Sequence, residues 1–192
     1  MKHRFKDTCL EPTKLLDNCY KLSTFMNRLN KMATDQEGNG YGWTADEFKG
    51  DGFEAFVEVM INCMQGDKRI GIRNYAPWEG KDMGIDGVGI TNEPAHRPVT
   101  VQIKYRSNVT EELTTADGIS NFVAMSTTHD DYKDAQMVYF TTAKGINRNI
   151  LEQMYNDKPK VFSHKDIKKL VDNNAYFWDS FRKEMIDIST EI

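Results

Sequence analysis

The stretch from Phe53 to Met64 constrains the fold more than any other part of the chain. Phe53, Phe56, Val57, Met60, Ile61 and Met64 recur at helical spacing and form one apolar face. Two start signals are available to that helix: Thr44 with Glu47 and Asp51 with Glu54 are each spaced as a capping box. Short strand candidates follow, RIGIRNYA, GIDGVGI and VTVQIKYR. The last two flank TNEPAHRP, whose prolines suit a hairpin loop.

The remaining segments extend the same alternation. TTADGISNFVAMS predicts a helix capped by Thr115, with Ile119, Phe122 and Val123 facing inward. QMVYFTT reads as a buried strand, NRNILEQMY as a helix, KVF as a short strand and SHKDIKKLVDN as a helix capped by Ser163, and AYFWDSFRKEM closes with aromatic core. Ahead of the central helix, residues 1–35 predict one amphipathic helix through Leu15, Leu16, Cys19, Leu22, Met26 and Leu29, in search of a partner. DQEGNGYGW then predicts a turn or loop. It lacks the strand and the spacing of a P-loop.

With 192 residues, 39% hydrophobic and 28% charged, the chain is expected to fold around its own core. There is no signal-peptide core at the start and no run of about eighteen apolar residues, so a cytoplasmic location without membrane contact is expected. Cys9, Cys19 and Cys63 lack zinc-site spacing and read as reduced thiols, and the histidines His3, His96, His129 and His164 are dispersed. A net charge of −4 excludes coating of nucleic acid by overall charge, but not local contact.

The hairpin carries the chemistry. Alternate strand residues share a face, so Asp86 aligns with Val88 and Ile90, and Gln102 and Lys104 with Thr100. A turn near Ala95 predicts Asp86 roughly opposite Lys104, with Gln102 diagonal to it. Glu54, at the edge of the helix stripe, reaches the same cluster, whereas Glu58 is expected further out. The ordinary alternative is a cross-strand Asp86–Lys104 ion pair on a solvated face, worth less than about 1 kcal/mol. Val88 and Ile90 on that face argue for a covered setting instead. Glu54, Asp86, Gln102 and the carbonyl of Ile103 offer oxygen ligands suited to Mg2+, with Mn2+ as a substitute. Lys104 can then orient the attacking water or stabilise charge at phosphorus.

The ID…QIK pattern of Asp86, Gln102 and Lys104, preceded by a helix with Glu54, resembles the PD-(D/E)xK nuclease superfamily. It is closer to the Mrr-like branch, where Gln takes the (D/E) position. WEGKDMGIDGVGI, TTADGISNF and MVYFTT are similar to the nuclease domain of type ISP restriction enzymes. The likeness covers roughly Gly50 to Phe181. It implies an α/β, restriction-endonuclease-like fold, a mixed central sheet flanked by helices, over residues 50–192, with residues 1–49 as an N-terminal helical extension. It further implies metal ligation by Glu54, Asp86 and Gln102, and a catalytic role for Lys104; Asp82 matches the branch without an assigned task.

Lys81, Arg97, Arg106, Lys144 and Arg148 offer a DNA surface, with Tyr105 beside them. The expected activity is a divalent-metal-dependent DNA endonuclease, of restriction or recombination and repair type. A homodimer through the N-terminal helix and a helicase or other motor partner are open possibilities. The alternative is a non-catalytic DNA-binding or assembly subunit that keeps the fold as a scaffold.

Overall fold

The N-terminal region forms two helices, α1 (Pro12–Leu16) and α2 (Leu22–Glu37), rather than the single helix its periodicity predicts. Asn18, at φ 49, breaks the run; asparagine tolerates this left-handed backbone better than most residues. The computed structural model describes residues 5, 9, 11–37, 44–79, 84–154 and 158–189, so His3 and most of the glycine-rich loop lie outside it.

The apolar stripe of this region finds its partner within the chain. Leu15, Leu16, Cys19, Leu22, Met26 and Leu29 are all buried in the main core. Phe25 stacks on Phe56 with ring centroids 5.0 Å apart, and its ring meets Phe181 edge-on at 5.6 Å. The stripe is thus covered within the chain, and this candidate dimer surface is not left open.

The central helix, α3 (Ala45–Cys63), starts at Thr44. Thr44 Oγ1 accepts from the Glu47 N–H at 3.1 Å, and Glu47 accepts from the Thr44 N–H at 2.9 Å, a complete capping box. Of the two predicted starts the first is used. Asp51 lies inside the helix and Glu54 is no part of a cap; the boundary at residues 49 and 50 falls within α3.

The chain continues through β1 (Ile72–Pro77), β2 (Gly87–Thr91), β3 (Pro98–Lys104), β4 (Glu112–Leu113), a 3-10 turn at Thr115–Asp117, α4 (Ile119–Thr128), β5 (Gln136–Thr141), β6 (Gly145–Ile146), α5 (Arg148–Gln153), β7 (Lys160–Phe162), α6 (His164–Val171) and α7 (Ala175–Ser189). The main sheet is mixed, in the order β1-β2-β3-β5-β7. Strands β1, β2 and β3 form an antiparallel meander, and β5 and β7 join in parallel with β3. The fold is thus mixed α/β with a five-stranded sheet flanked by helices. The small parallel pair β4–β6 has no counterpart in the sequence reading, since two-residue strands carry no periodicity.

Alternation along β3 divides the two cores. Val99, Val101 and Ile103 face the large aromatic core with α3, whereas Val88, Met137 and Tyr139 belong to a second cluster with Ile119 and Phe122 of α4. Thr100 and Ser126 share a buried hydroxyl contact at 2.8 Å across that second interface. The helix α4 begins later than predicted, after Gly118 at φ 77, and Thr115 lies instead within the preceding 3-10 turn, which Thr114 caps by donating its N–H to the Asp117 carboxylate at 2.6 Å. Ser163 precedes α6 as expected, with its hydroxyl and N–H both donating to Asp166.

Candidate active site

The register of the hairpin decides which polar groups meet. Gly87 pairs with Val101 and Val88 with Thr100, and continuing one step places Asp86 opposite Gln102. Lys104 is therefore the diagonal neighbour of Asp86, and the predicted arrangement is shifted by two residues. The pairing centres the hairpin on Pro94 rather than Ala95, and the loop residue His96 sits at φ 47.

Asp86 occupies the point where β2 begins. Its backbone is fixed on both sides, with its N–H donating to Val101 O at 2.8 Å and its carbonyl accepting from Trp78 N at 2.9 Å. Its Oδ2 accepts from the Gln102 side-chain amide at 2.5 Å and from the Ile103 N–H at 2.6 Å. Only the nitrogen of an amide can donate to a carboxylate, which fixes the orientation of Gln102. Gln102 thus holds Asp86 in place, and its own oxygen is the atom left for a ligand role.

Lys104 ends β3, half-buried, with its backbone carbonyl accepting from Thr141 Oγ1 at 2.8 Å. Its ammonium makes no ion pair among the described residues, so the ordinary Asp86–Lys104 pairing does not occur. Instead Lys104 lines a cavity of about 510 Å³ together with Glu54, Ile103, Lys49, Tyr105 and Arg106. Helix α3 packs on the face of the sheet opposite Gln102 and Lys104, and Glu54 and Lys104 border the same cavity at the end of β3.

Glu58 is more buried than Glu54, at 8% exposure, which reverses the expected order. The negative charges of Asp86, Glu54 and Glu58 act on the buried hydroxyl of Tyr75. Burial first, then these three charges, hold the Tyr75 pKa well above that of ordinary tyrosine. Gly87 makes room for this ring: a Cβ there would lie 2.3 Å from the Tyr75 hydroxyl. On the other side, burial and the charge of Asp86 likewise raise the pKa of Tyr139, which Arg106 partly offsets.

Among the described residues, no three His, Cys, Asp or Glu side chains are grouped to hold a metal. The candidate donors are the Glu54 carboxylate and the Ile103 carbonyl, whose residues line the cavity, and the Asp86 carboxylate and the Gln102 oxygen, whose residues are bonded to each other beside Ile103 but do not line it. Such a set fits a hard cation that retains several waters, Mg2+ above all, and fits zinc or calcium cages badly.

The expected basic rim is largely neutralised. Arg106 is engaged by Asp117, and its amide and carbonyl both bond to Thr142 Oγ1. Lys144 pairs with Glu112 at 2.9 Å and Arg148 with Glu152 at 2.6 Å. Arg97 pairs with Glu93 and precedes Pro98, about 20 Å of strand from Lys104. Tyr105 is buried rather than set beside these cations, its hydroxyl donating to Asn30 Oδ1 at 2.9 Å. Lys81 and Asp82 lie outside the described residues.

Sequence reasoning missed two contributors. Lys49, paired with Asp46 at 2.7 Å, enters the cavity one turn before Glu54, and the stretch EFKGD gave a signal only once the helix start was known. Asn30 of α2 accepts from Tyr105 and from Ser107 Oγ at 3.0 Å, so the N-terminal region braces the lip. Comparison with family models, curated proteins and solved structures finds no match to the chain. Among the described residues, no helix is long and apolar enough to cross a membrane.

Proposed function

We propose that the chain is a divalent-metal-dependent nuclease that hydrolyses phosphodiester bonds of DNA, and that its mixed sheet is of the restriction-endonuclease-like type. The observation that carries this reading is the lip itself: Lys104, which makes no ion pair among the described residues, shares a cavity with the Glu54 carboxylate, beside an aspartate oriented by two donors. A helix feeding an antiparallel meander, followed by a crossover helix and a parallel strand, supports the fold type.

Glu54 and Asp86, with the oxygens of Gln102 and Ile103, would hold Mg2+ or Mn2+. When bound, the metal supplies Lewis-acid polarisation and a lowered pKa for a water nucleophile. The chain's own groups do the rest. Gln102 and the Ile103 N–H keep the Asp86 carboxylate from turning away. The Lys104 ammonium orients the nucleophile and stabilises negative charge developing on the phosphoryl oxygens. Lys49 and Arg106 line the path by which a phosphate enters, with the Arg106 guanidinium held by Asp117 and unable to swing freely.

A second reading is favoured by one observation: a neutral amide stands where a further carboxylate would strengthen metal binding, and the rim cations are mostly paired. This suits a non-catalytic DNA-binding or assembly subunit. The test is a panel of supercoiled plasmid, linear duplex, single strand and four-way junction, each with Mg2+, Mn2+ or EDTA. Metal-dependent cutting supports the nuclease, and the best substrate assigns its type. Folded protein that binds DNA but cuts none of these substrates selects the second reading.

A further inference from the structure

The opposite end of the sheet carries a cationic pocket that no part of the candidate active site uses. It has a volume of about 550 Å³ and is lined by Lys68, Arg73, Gln65, Asn74 and Asn92 at the edge strand β1. Among the described residues no carboxylate lines it. Arg73 pairs with Ile90, which in turn pairs with Pro98, so the pocket lies at the end of the sheet away from Lys104.

The acids nearest in sequence are already committed. Asp67 accepts from the Arg69 side chain at 3.0 and 2.5 Å, and from the Arg69 N–H at 2.8 Å. Glu93 pairs with Arg97. Among the described residues neither Lys68 nor Arg73 makes an ion pair, in contrast to Arg106, Lys144 and Arg148.

The walls are built from amides. Asn92 donates to Gln65 O at 2.6 Å, and Gln65 Oε1 accepts from the Asn74 N–H at 3.2 Å. A bulge between Arg73 and Ala76 interrupts the β1–β2 register, with Asn74 at φ 52, and such a bulge re-aims the side chains beside it. Arg73 meets Asn92 only at long range, its Nε 3.4 Å from Oδ1 and its Nη2 3.5 Å from the carbonyl. Neutral acceptors at that distance yield readily to an oxyanion, for which a charge-assisted bond is shorter and stronger.

We propose that Lys68 and Arg73 form a phosphate-binding site for the backbone of nucleic acid, an anchor set apart from the lip that carries Lys104. Two uncompensated cations fit an oxyanion, and the neutral amides impose no repulsion on it. The proposal rests on nucleic acid as ligand, as in the functional reading above, but not on its being cut.

The test is fluorescence anisotropy of a labelled DNA duplex in EDTA, where cleavage does not interfere. Wild type is expected to bind with competition by inorganic phosphate. The double variant Lys68→Gln/Arg73→Gln, checked for folding by circular dichroism, is expected to bind about tenfold or more weakly. Its salt slope should be smaller by about 1.8, two phosphate contacts' worth. Arg73→Lys should recover part of the loss, and Arg97→Gln, which removes a paired cation, should have little effect. Unchanged affinity and slope in the folded double variant overturn the proposal, as does a wild type that fails to bind the duplex. If the double variant loses binding to anionic vesicles while duplex binding stays intact, the site belongs to a membrane surface and the proposal fails. Wild type that binds but never cuts removes the nuclease reading and leaves this site standing.

Discussion

The two ends of the sheet treat charge in opposite ways. At the lip where β3 and β5 end, Arg106, Lys144, Arg148 and Lys49 each meet a carboxylate, and the single cation without an ion pair is Lys104 among the described cavity residues. At the far end, Lys68 and Arg73 share a pocket with amides and, among the described residues, no acid. The Lys144–Glu112 and Arg148–Glu152 pairs are exposed, and such pairs are worth about 0–1 kcal/mol, so they do little for stability. The effect of the pairing at the lip is to weaken long-range attraction there and leave Lys104 as the cavity cation without an ion pair among the described residues. The contrast is what the proposed division between cleavage at the lip and binding at the far end rests on.

The largest effect that sharpens this comparison falls on Asp86. Asp86→Ala removes a carboxylate and releases two donors, Gln102 and the Ile103 N–H. Cleavage is expected to fall by about 10²–10³ or more, the scale of losing one organised electrostatic contact, read by single-turnover kinetics. Gly87→Ala comes next. The added methyl would meet the Tyr75 hydroxyl at 2.3 Å, and denaturant titration should show a loss of about 1–3 kcal/mol as the ring is displaced. An unchanged midpoint would mean that Tyr75 is not wedged against the strand.

Asn30→Ala tests the brace from α2. It leaves Tyr105 and Ser107 without their shared acceptor and should cost about 1 kcal/mol in denaturant stability, with the larger proportional effect on cleavage if the lip loosens. The alkaline limb of stability reports on the same region. Burial pushes the Tyr105 hydroxyl up to about 12 and holds Tyr75 and Tyr139 above their ordinary value. Between pH about 10 and 12 the unfolded chain releases tyrosine protons that the folded chain keeps. Stability is therefore full below pH about 10 and falls as pH rises toward 12, and tyrosinate absorbance should show a late-titrating class. The smallest effect belongs to Arg148→Gln, an exposed i,i+4 partner, with a stability change within about 0.5 kcal/mol and little change in duplex affinity.

Much of this architecture was legible from periodicity. The Phe53 stripe, the three meander strands and the strand from Gln136 all lie where their apolar patterns put them, and Thr44 and Ser163 act as N-terminal caps. What periodicity does not contain is register. The hairpin loop length allowed Asp86 opposite either Gln102 or Lys104, and only the backbone pairing of Gly87 with Val101 decides it. Pairing of charges was equally hidden, because Glu112 lies far from Lys144 in sequence and Asp117 lies on a separate turn from Arg106. The break at Asn18 was missed since apolar spacing continues through it by coincidence, which shows how a helical stripe can be shared by two helices folding onto one core.

The most direct measurement is single-turnover cleavage of a labelled duplex with Mg2+ at saturating protein, for wild type and Lys104→Ala, with duplex binding recorded on the same samples in EDTA. The division of labour predicts that wild type cuts, and that Lys104→Ala cuts at least about 100-fold more slowly while holding the duplex with nearly the same affinity. Cleavage by Lys104→Ala at the wild-type rate, or binding lost together with cleavage, would contradict it.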